Sequence, residues 1–156
     1  MVHLVEVESE VAEYLRTKLG DKLFGVATPK KLRVVVRVSS DAVKSCIRAI
    51  QEKFGDVHLT TITGCDLGEE LELTYHLHLY ANNVHIMVKT KVPKSEPKID
   101  TITDVIPGAV LYEREVYEML GIQFIGHPKL ERLFLPDDWP EGIYPLRKDW
   151  RPEGLK

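Results

Sequence analysis

The sequence predicts an α+β fold: a largely antiparallel sheet packed with helices, followed by a long irregular C-terminal tail. Three observations carry this reading. Two early stretches repeat apolar residues at helical spacing and stop at a glycine. The stretch Leu71–Tyr80 alternates strictly between apolar and polar or aromatic side chains. The last 36 residues contain nine glycines and prolines, too many for either periodicity to persist beyond a turn or two.

The elements follow in chain order. Between Glu8 and Leu19 the residues Val11, Leu15 and Leu19 recur at i, i+4 and i+8, with Gly20 placed to end the helix. Two extended segments come next, near Phe24–Thr28 and Leu32–Val38, joined by Pro29-Lys30-Lys31 as a turn. A second helix is predicted from Asp41 to Phe54. Ser39 or Ser40 can cap it, Gly55 can close it, and Val43, Ile47, Ile50 and Phe54 form its apolar stripe. Cys46 beside that stripe reads as a small buried hydrophobe. Val57–Ile62 reads as a third strand.

In Leu71–Tyr80 the residues Leu71, Leu73, Tyr75, Leu77 and Leu79 point one way; Glu72, Thr74, His76, His78 and Tyr80 point the other. Val84, Ile86 and Val88 continue the apolar phase. Asn82-Asn83 can take the positive φ of a tight turn, which sets Leu79 against Ile86 and Leu77 against Val88. His78 and His85 are then diagonal neighbours. Val92–Lys98, with two prolines and two lysines, reads as a solvated loop. A helical stretch starts near Thr101–Asp104, breaks at Pro107-Gly108, resumes over Val110–Leu120 and stops at Gly121. The chain thus divides into an α+β domain, 1–120, and an extended partner-docking tail, 121–156.

Composition narrows the function. The 156 residues are 44% hydrophobic, enough for one domain with a real core. A net charge of -3 gives no global field for nucleic acid. No apolar run approaches the roughly 20 residues of a membrane span. The N-terminal residues lack the pattern of a signal peptide, so a cytosolic chain is expected. Cys46 and Cys65 do not have zinc or iron–sulfur spacing, and no glycine-rich turn suits a pyrophosphate. No iron–sulfur cluster, cysteine-bound zinc or dinucleotide site is therefore expected in this chain.

The tail is irregular yet rich in large apolar groups, and both tryptophans lie in it. A dozen such groups left in water form an aggregation hazard, and Trp, Tyr and Arg dominate interface hot spots. The tail is expected to lie on another protein. The opposing reading wraps it around its own domain.

Several short motifs occur in order: Glu113-Arg114-Glu115, Glu118-Met119-Leu120-Gly121-Ile122, Phe124, Gly126-His127-Pro128, Leu130, Arg132-Leu133 and Pro145-Leu146-Arg147-Lys148-Asp149-Trp150. This succession resembles the 30-kilodalton peripheral-arm subunit of NADH–quinone oxidoreductase (respiratory complex I). The family includes the equivalent subunits of membrane-bound nickel–iron hydrogenases and formate hydrogenlyases. Glu118 stands where respiratory members usually carry Asp, Leu120 where they usually carry Phe, and Glu131 where a basic residue is common. The segment Glu141–Pro145 is one residue longer than the usual respiratory form, and with Leu135–Pro140 it looks more like the hydrogenase branch.

The resemblance implies a non-catalytic assembly subunit on the cytoplasmic side of a membrane-bound complex. It would brace a nickel–iron-hydrogenase-like large subunit and a small iron–sulfur subunit, touching the membrane arm only indirectly. Iron–sulfur clusters, and nickel and iron where retained, would belong to those partners. The residues expected at the partner interface are Arg114, Glu115, Phe124, His127, Arg132, Trp139, Tyr144, Arg147, Lys148, Asp149 and Trp150. Arg147 suits a bidentate grip on a partner carboxylate. Arg114 and Glu118, at i and i+4, can pair within their helix; the alternative is that Arg114 or Glu115 reaches the tail or a partner. His127 can instead fix its turn by a side-chain hydrogen bond. Two readings compete: a subunit of a genuine NADH/quinone oxidoreductase, and a free-standing metal-dependent enzyme using His76, His78 and His85. A nucleic-acid module is disfavoured by the charge.

Overall fold

The computed structural model describes residues 2–152; residues 153–156, the end of the expected tail, lie outside the described residues. Helix α1 (Val2–Leu19) begins well before the predicted Glu8 and buries Val11 and Leu15 completely. Strands β1 (Leu23–Lys30) and β2 (Arg33–Val38) form the first antiparallel pair. Their turn falls at Lys31-Leu32, one residue later than predicted, with Leu32 at φ 64°.

A short 3-10 turn over Ser40–Ala42 precedes α2 (Val43–Phe54). The expected serine cap is absent: Ser39 Oγ donates to Asp41, and no side chain caps the helix amides. Gly55 closes α2 at φ 77°, and Cys46 is fully buried with its thiol pushed up to about 12 by burial. Strands β3 (Val57–Asp66), β4 (Glu70–Leu79) and β5 (Val84–Pro93) complete a five-stranded sheet of order β1-β2-β5-β4-β3. Within this sheet only the β2–β5 contact is parallel.

The β4–β5 hairpin corrects the predicted register. Leu79 faces Val84, Leu77 faces Ile86 and His78 faces His85 directly. The loop holds four residues, Tyr80–Asn83, and only Asn83 takes positive φ, at 53°. A slip of two residues keeps every side chain on its face, so alternation alone could not detect it. Leu71, Leu73, Tyr75, Leu77 and Leu79 are all buried beneath the helices.

Two further corrections concern the chain after β5. The Val92–Lys98 loop ends in a short strand, β6 (Lys98–Asp100), and Thr101–Asp104 is a turn rather than helix. Helix α3 (Ala109–Leu120) follows and Gly121 ends it in the left-handed region. Strand β7 (Gln123–Ile125) then pairs in parallel with β6, and Ile122 and Phe124 are buried in the core. The first residues of the expected tail are thus built into the domain. Long-range pairing of two three-residue strands leaves no local pattern to read.

Among the described residues no helix is long and apolar enough to cross a membrane. All three helices pack on one face of the sheet; Val116 and Leu120 of α3 meet β3 at Gly64, the residue whose missing side chain admits them.

Candidate partner interface

From Leu130 to Trp150 the chain runs as an irregular strap beside α3. It is held by side chains that address backbone groups. Glu118, 3% exposed on the last turns of α3, is the main fastening. Its carboxylate accepts the N–H groups of Leu133 (3.0 Å), Phe134 (2.9 Å) and Leu135 (2.7 Å). Three donors of an irregular loop converge on one carboxylate, and such charge-assisted bonds are stronger than neutral ones.

Arg114, one turn earlier on α3, donates to the carbonyls of Glu131 (3.0 Å) and Arg132. The alternative that it pairs within the helix is not realised: Arg114 and Glu118 each grip the strap. Arg132 turns back to the carbonyls of Pro136 and Asp137, both at 3.2 Å. Trp139 closes the next loop by donating from Nε1 to the Ile143 carbonyl at 2.9 Å. Its ring lies 5.7 Å from that of Trp150.

The last stretch is pinned to the end of α3 and to the sheet. Leu146 N–H reaches the Met119 carbonyl (3.1 Å) and Arg147 Nε the Leu120 carbonyl (2.8 Å). The Arg147 guanidinium stacks 4.5 Å from the Tyr144 ring centre. That ring covers Gly121: a Cβ there would stand 2.5 Å from it, at a φ of 78°. Lys148 N–H donates to Asp66 at 2.9 Å. Asp66 also accepts from Lys94 Nζ and Gly68 N–H, each at 2.8 Å, while Lys94 lies 3.4 Å from Asp149. Burial would raise the Asp66 carboxyl, but the Lys94 ammonium and the two backbone donors outweigh it and hold it well below the usual carboxylate range. Lys94 is therefore an anchor, not the solvated residue expected of its loop.

Not every expected interface residue faces outward. Phe124 is 2% exposed in the core. The His127 side chain is buried: its Nδ1 accepts the Lys129 N–H (3.0 Å), so the ring hydrogen sits on Nε2, 3.1 Å from the Val110 carbonyl. This is the turn-fixing role, and it sets both residues inside this chain. Glu115 is exposed on α3, as are Lys148 and Asp149 on the strap. Arg114, Arg132, Trp139, Tyr144, Arg147 and Trp150 are half-buried along the strap. Phe134, Ile143 and Leu146 stand out at 64%, 37% and 59% exposure. Between the strap loops lies a cleft of about 470 Å³ walled by Glu118, Arg132, Trp139 and Tyr144.

Sequence reasoning missed Asp66 and underrated Glu118. Asp66-Leu67-Gly68 is an Asx-turn signal that marked the first. The second carried none, because an acid at helical spacing from an arginine reads as a surface pair.

The chain from 36 to 156 matches the family model described as respiratory-chain NADH dehydrogenase, 30 Kd subunit. The chain belongs to that family. Among its relatives is the membrane-bound hydrogenase subunit beta of Pyrococcus furiosus, 38% identical over 120 residues, 75% of this chain and 69% of the relative. A subunit of the F(420)H(2) dehydrogenase of Methanosarcina mazei is 34% identical over 142 residues, 90% of this chain and 89% of the relative. A chain in the membrane-bound sulfane sulfur reductase, an archaeal respiratory membrane complex, superposes with a TM-score of 0.81 at 30% identity, covering 94% of this chain and 86% of that one. The strap therefore lies wholly within the part of the chain that the family model matches.

Proposed function

We propose that this chain is a non-catalytic bracing subunit of a membrane-bound, complex I-like oxidoreductase, on its cytoplasmic side and of the hydrogenase-type branch. In this reading it seats the large, nickel–iron-hydrogenase-like subunit against the small iron–sulfur subunit and leaves redox chemistry to them. The relatives from membrane-bound hydrogenase and F(420)H(2) dehydrogenase support a place in such an assembly.

One observation carries the bracing role. The strap is fastened through its backbone, while Phe134, Ile143 and Leu146 are turned outward. A segment shaped in advance loses little freedom on docking, and exposed apolar groups on a rigid base are what a partner can cover. Electron transfer between neighbouring clusters needs fixed spacing, which a pre-shaped brace supplies.

The test is co-purification from the native membrane complex. Replacing Trp150 and Arg147 together by Ala is expected to leave the melting of the isolated chain within a few degrees of the parent and to abolish recovery with the large subunit. Equal loss of stability in the isolated chain would show that the strap end belongs to its own core and would remove the basis of the reading. The free-standing metal-enzyme alternative draws no support here: among the described residues no group of three or more His, Cys, Asp or Glu is placed to hold a metal ion.

A further inference from the structure

The sheet face opposite the helices carries a feature that the strap does not use. His58 on β3 faces His78 on β4, His78 faces His85 on β5, and His85 faces Arg33 on β2. Three imidazoles and a guanidinium therefore form one row across four strands. The His78 and His85 rings are 4.3 Å apart, and Tyr80 lies 5.0 Å from His78 and 5.6 Å from His58. In the next row His76 Nε2 lies 3.1 Å from Thr63 Oγ1. Between the rows is a concavity of about 280 Å³ whose walls include Arg33, Thr60, Thr61, His76, His85 and Met87.

None of its lining residues is acidic. The two acids that β4 presents on this face are engaged elsewhere, Glu72 with Lys89 (2.8 Å) and Glu70 with Lys91 (2.9 Å). Neither of them neutralises Arg33. Burial holds the His85 ring below its ordinary value, helped by the neighbouring His78 and Arg33; burial does the same for His76, helped by Lys89 and His85. The groups that line the concavity, from β2 through β5, are thus basic or neutral, with no counter-charge among them.

We propose that this concavity is an oxyanion-binding site for a single carboxylate or phosphate group, held by Arg33 with His76, His85 and a threonine hydroxyl. Arginine's planar fork matches such a group, and imidazoles beside it add donors once protonated. The site lies on the open sheet face, so its fate is separate from that of the strap.

The experiment follows the histidine ring C–H signals of the full chain by NMR through a pH titration, in phosphate and in chloride at equal ionic strength. Phosphate is expected to raise the titration midpoints of His76 and His85 by about half a pH unit each. With phosphate saturating, reciprocity then requires the affinity for one given ionic form of phosphate to rise about tenfold from the alkaline to the acid side of both midpoints. Arg33→Gln should abolish the phosphate effect and Arg33→Lys should keep part of it; circular dichroism shows that each variant is folded. Identical midpoints in the two salts, or an unchanged phosphate effect in folded Arg33→Gln, would overturn the site.

The assembled complex distinguishes the source of the anion, read by deuterium exchange at the histidine ring carbons. A partner carboxylate would raise both midpoints in chloride alone and leave phosphate without further effect. A free anion would give the complex the same phosphate response as the isolated chain. Unraised midpoints that ignore phosphate in the complex would overturn a role for the site in the assembly.

Discussion

Along β4, from Leu71 to Leu79, every second side chain is apolar and buried to within 1% exposure; along the strap, from Leu130 to Trp150, no apolar side chain reaches that state. The two regions have comparable supplies of large hydrophobes, so composition does not separate them. What separates them is the source of order. In the sheet, side chains pack against helices and the backbone ladder follows. In the strap, Glu118, Arg114, Arg147 and Asp66 hold the backbone, and the apolar side chains are left half-covered. Segments with few buried contacts belong to the low-stability end of a protein, where binding surfaces are drawn.

Both tryptophans lie in the strap, so their emission reports the strap while far-UV circular dichroism reports the body. This pairing gives a direct way to break the comparison. Leu77→Ala should have the largest effect. Leu77 is fully buried, and such a truncation costs about 2–5 kcal/mol. Body and strap signals should be lost together on heating, at a clearly lower temperature. A strap signal that survives melting of the body would show that the strap is an independent unit.

Glu118→Gln should act on the strap alone. The side chain keeps its size but loses its charge, weakening a fastening whose charge-assisted bonds are worth about 1.5–3 kcal/mol each. Tryptophan emission should shift to the red and the amides of Leu133, Phe134 and Leu135 should exchange faster, while the dichroism melt moves little. An equal drop in both signals would mean that Glu118 supports the core of α3 rather than the strap.

How far the sequence discloses this division follows from what each region depends on. The helices and the sheet are legible because burial writes a period of 3.6 or 2 into neighbouring residues: Val43, Ile47 and Ile50, or Leu71 through Leu79, state their own faces. The hairpin register is not, since a slip of two preserves both faces. β6 and β7 are invisible because Lys98–Asp100 and Gln123–Ile125 define one another across a long separation. In the strap, the motif residues are legible but their engagements are not. Arg147 reads as a hand for a partner carboxylate, yet its Nε serves the Leu120 carbonyl; Phe124 reads as an interface aromatic, yet it fills the core. Bonds from side chains to a distant backbone leave no spacing rule behind.

The smallest expected effect sharpens the comparison through pH, because the buried acid that ties down the strap and a buried acid of the body are shifted in opposite directions. Asp66, which ties down the strap end, is held below its ordinary value. Its stabilising contribution is complete above the unfolded value of about 3.9 and is lost as pH falls toward the folded value. Glu113 in the body is shifted up, chiefly by burial, against the pull of the Ile102 N–H, Thr101 and His127. The folded body therefore takes up a proton there before the unfolded chain does. Acidification from that raised midpoint down to about pH 4.3 adds to body stability instead of removing it. Tryptophan emission should consequently begin to change below about pH 4 while the dichroism signal still holds. Asp66→Asn should reduce the acid dependence of the emission, since one titrating fastening is gone while Glu118 remains, and leave the dichroism profile as it was. Emission and dichroism falling together on acidification, in both the parent and the Asn variant, would show that the strap has no separate acid-sensitive fastening and that the two regions share one source of order.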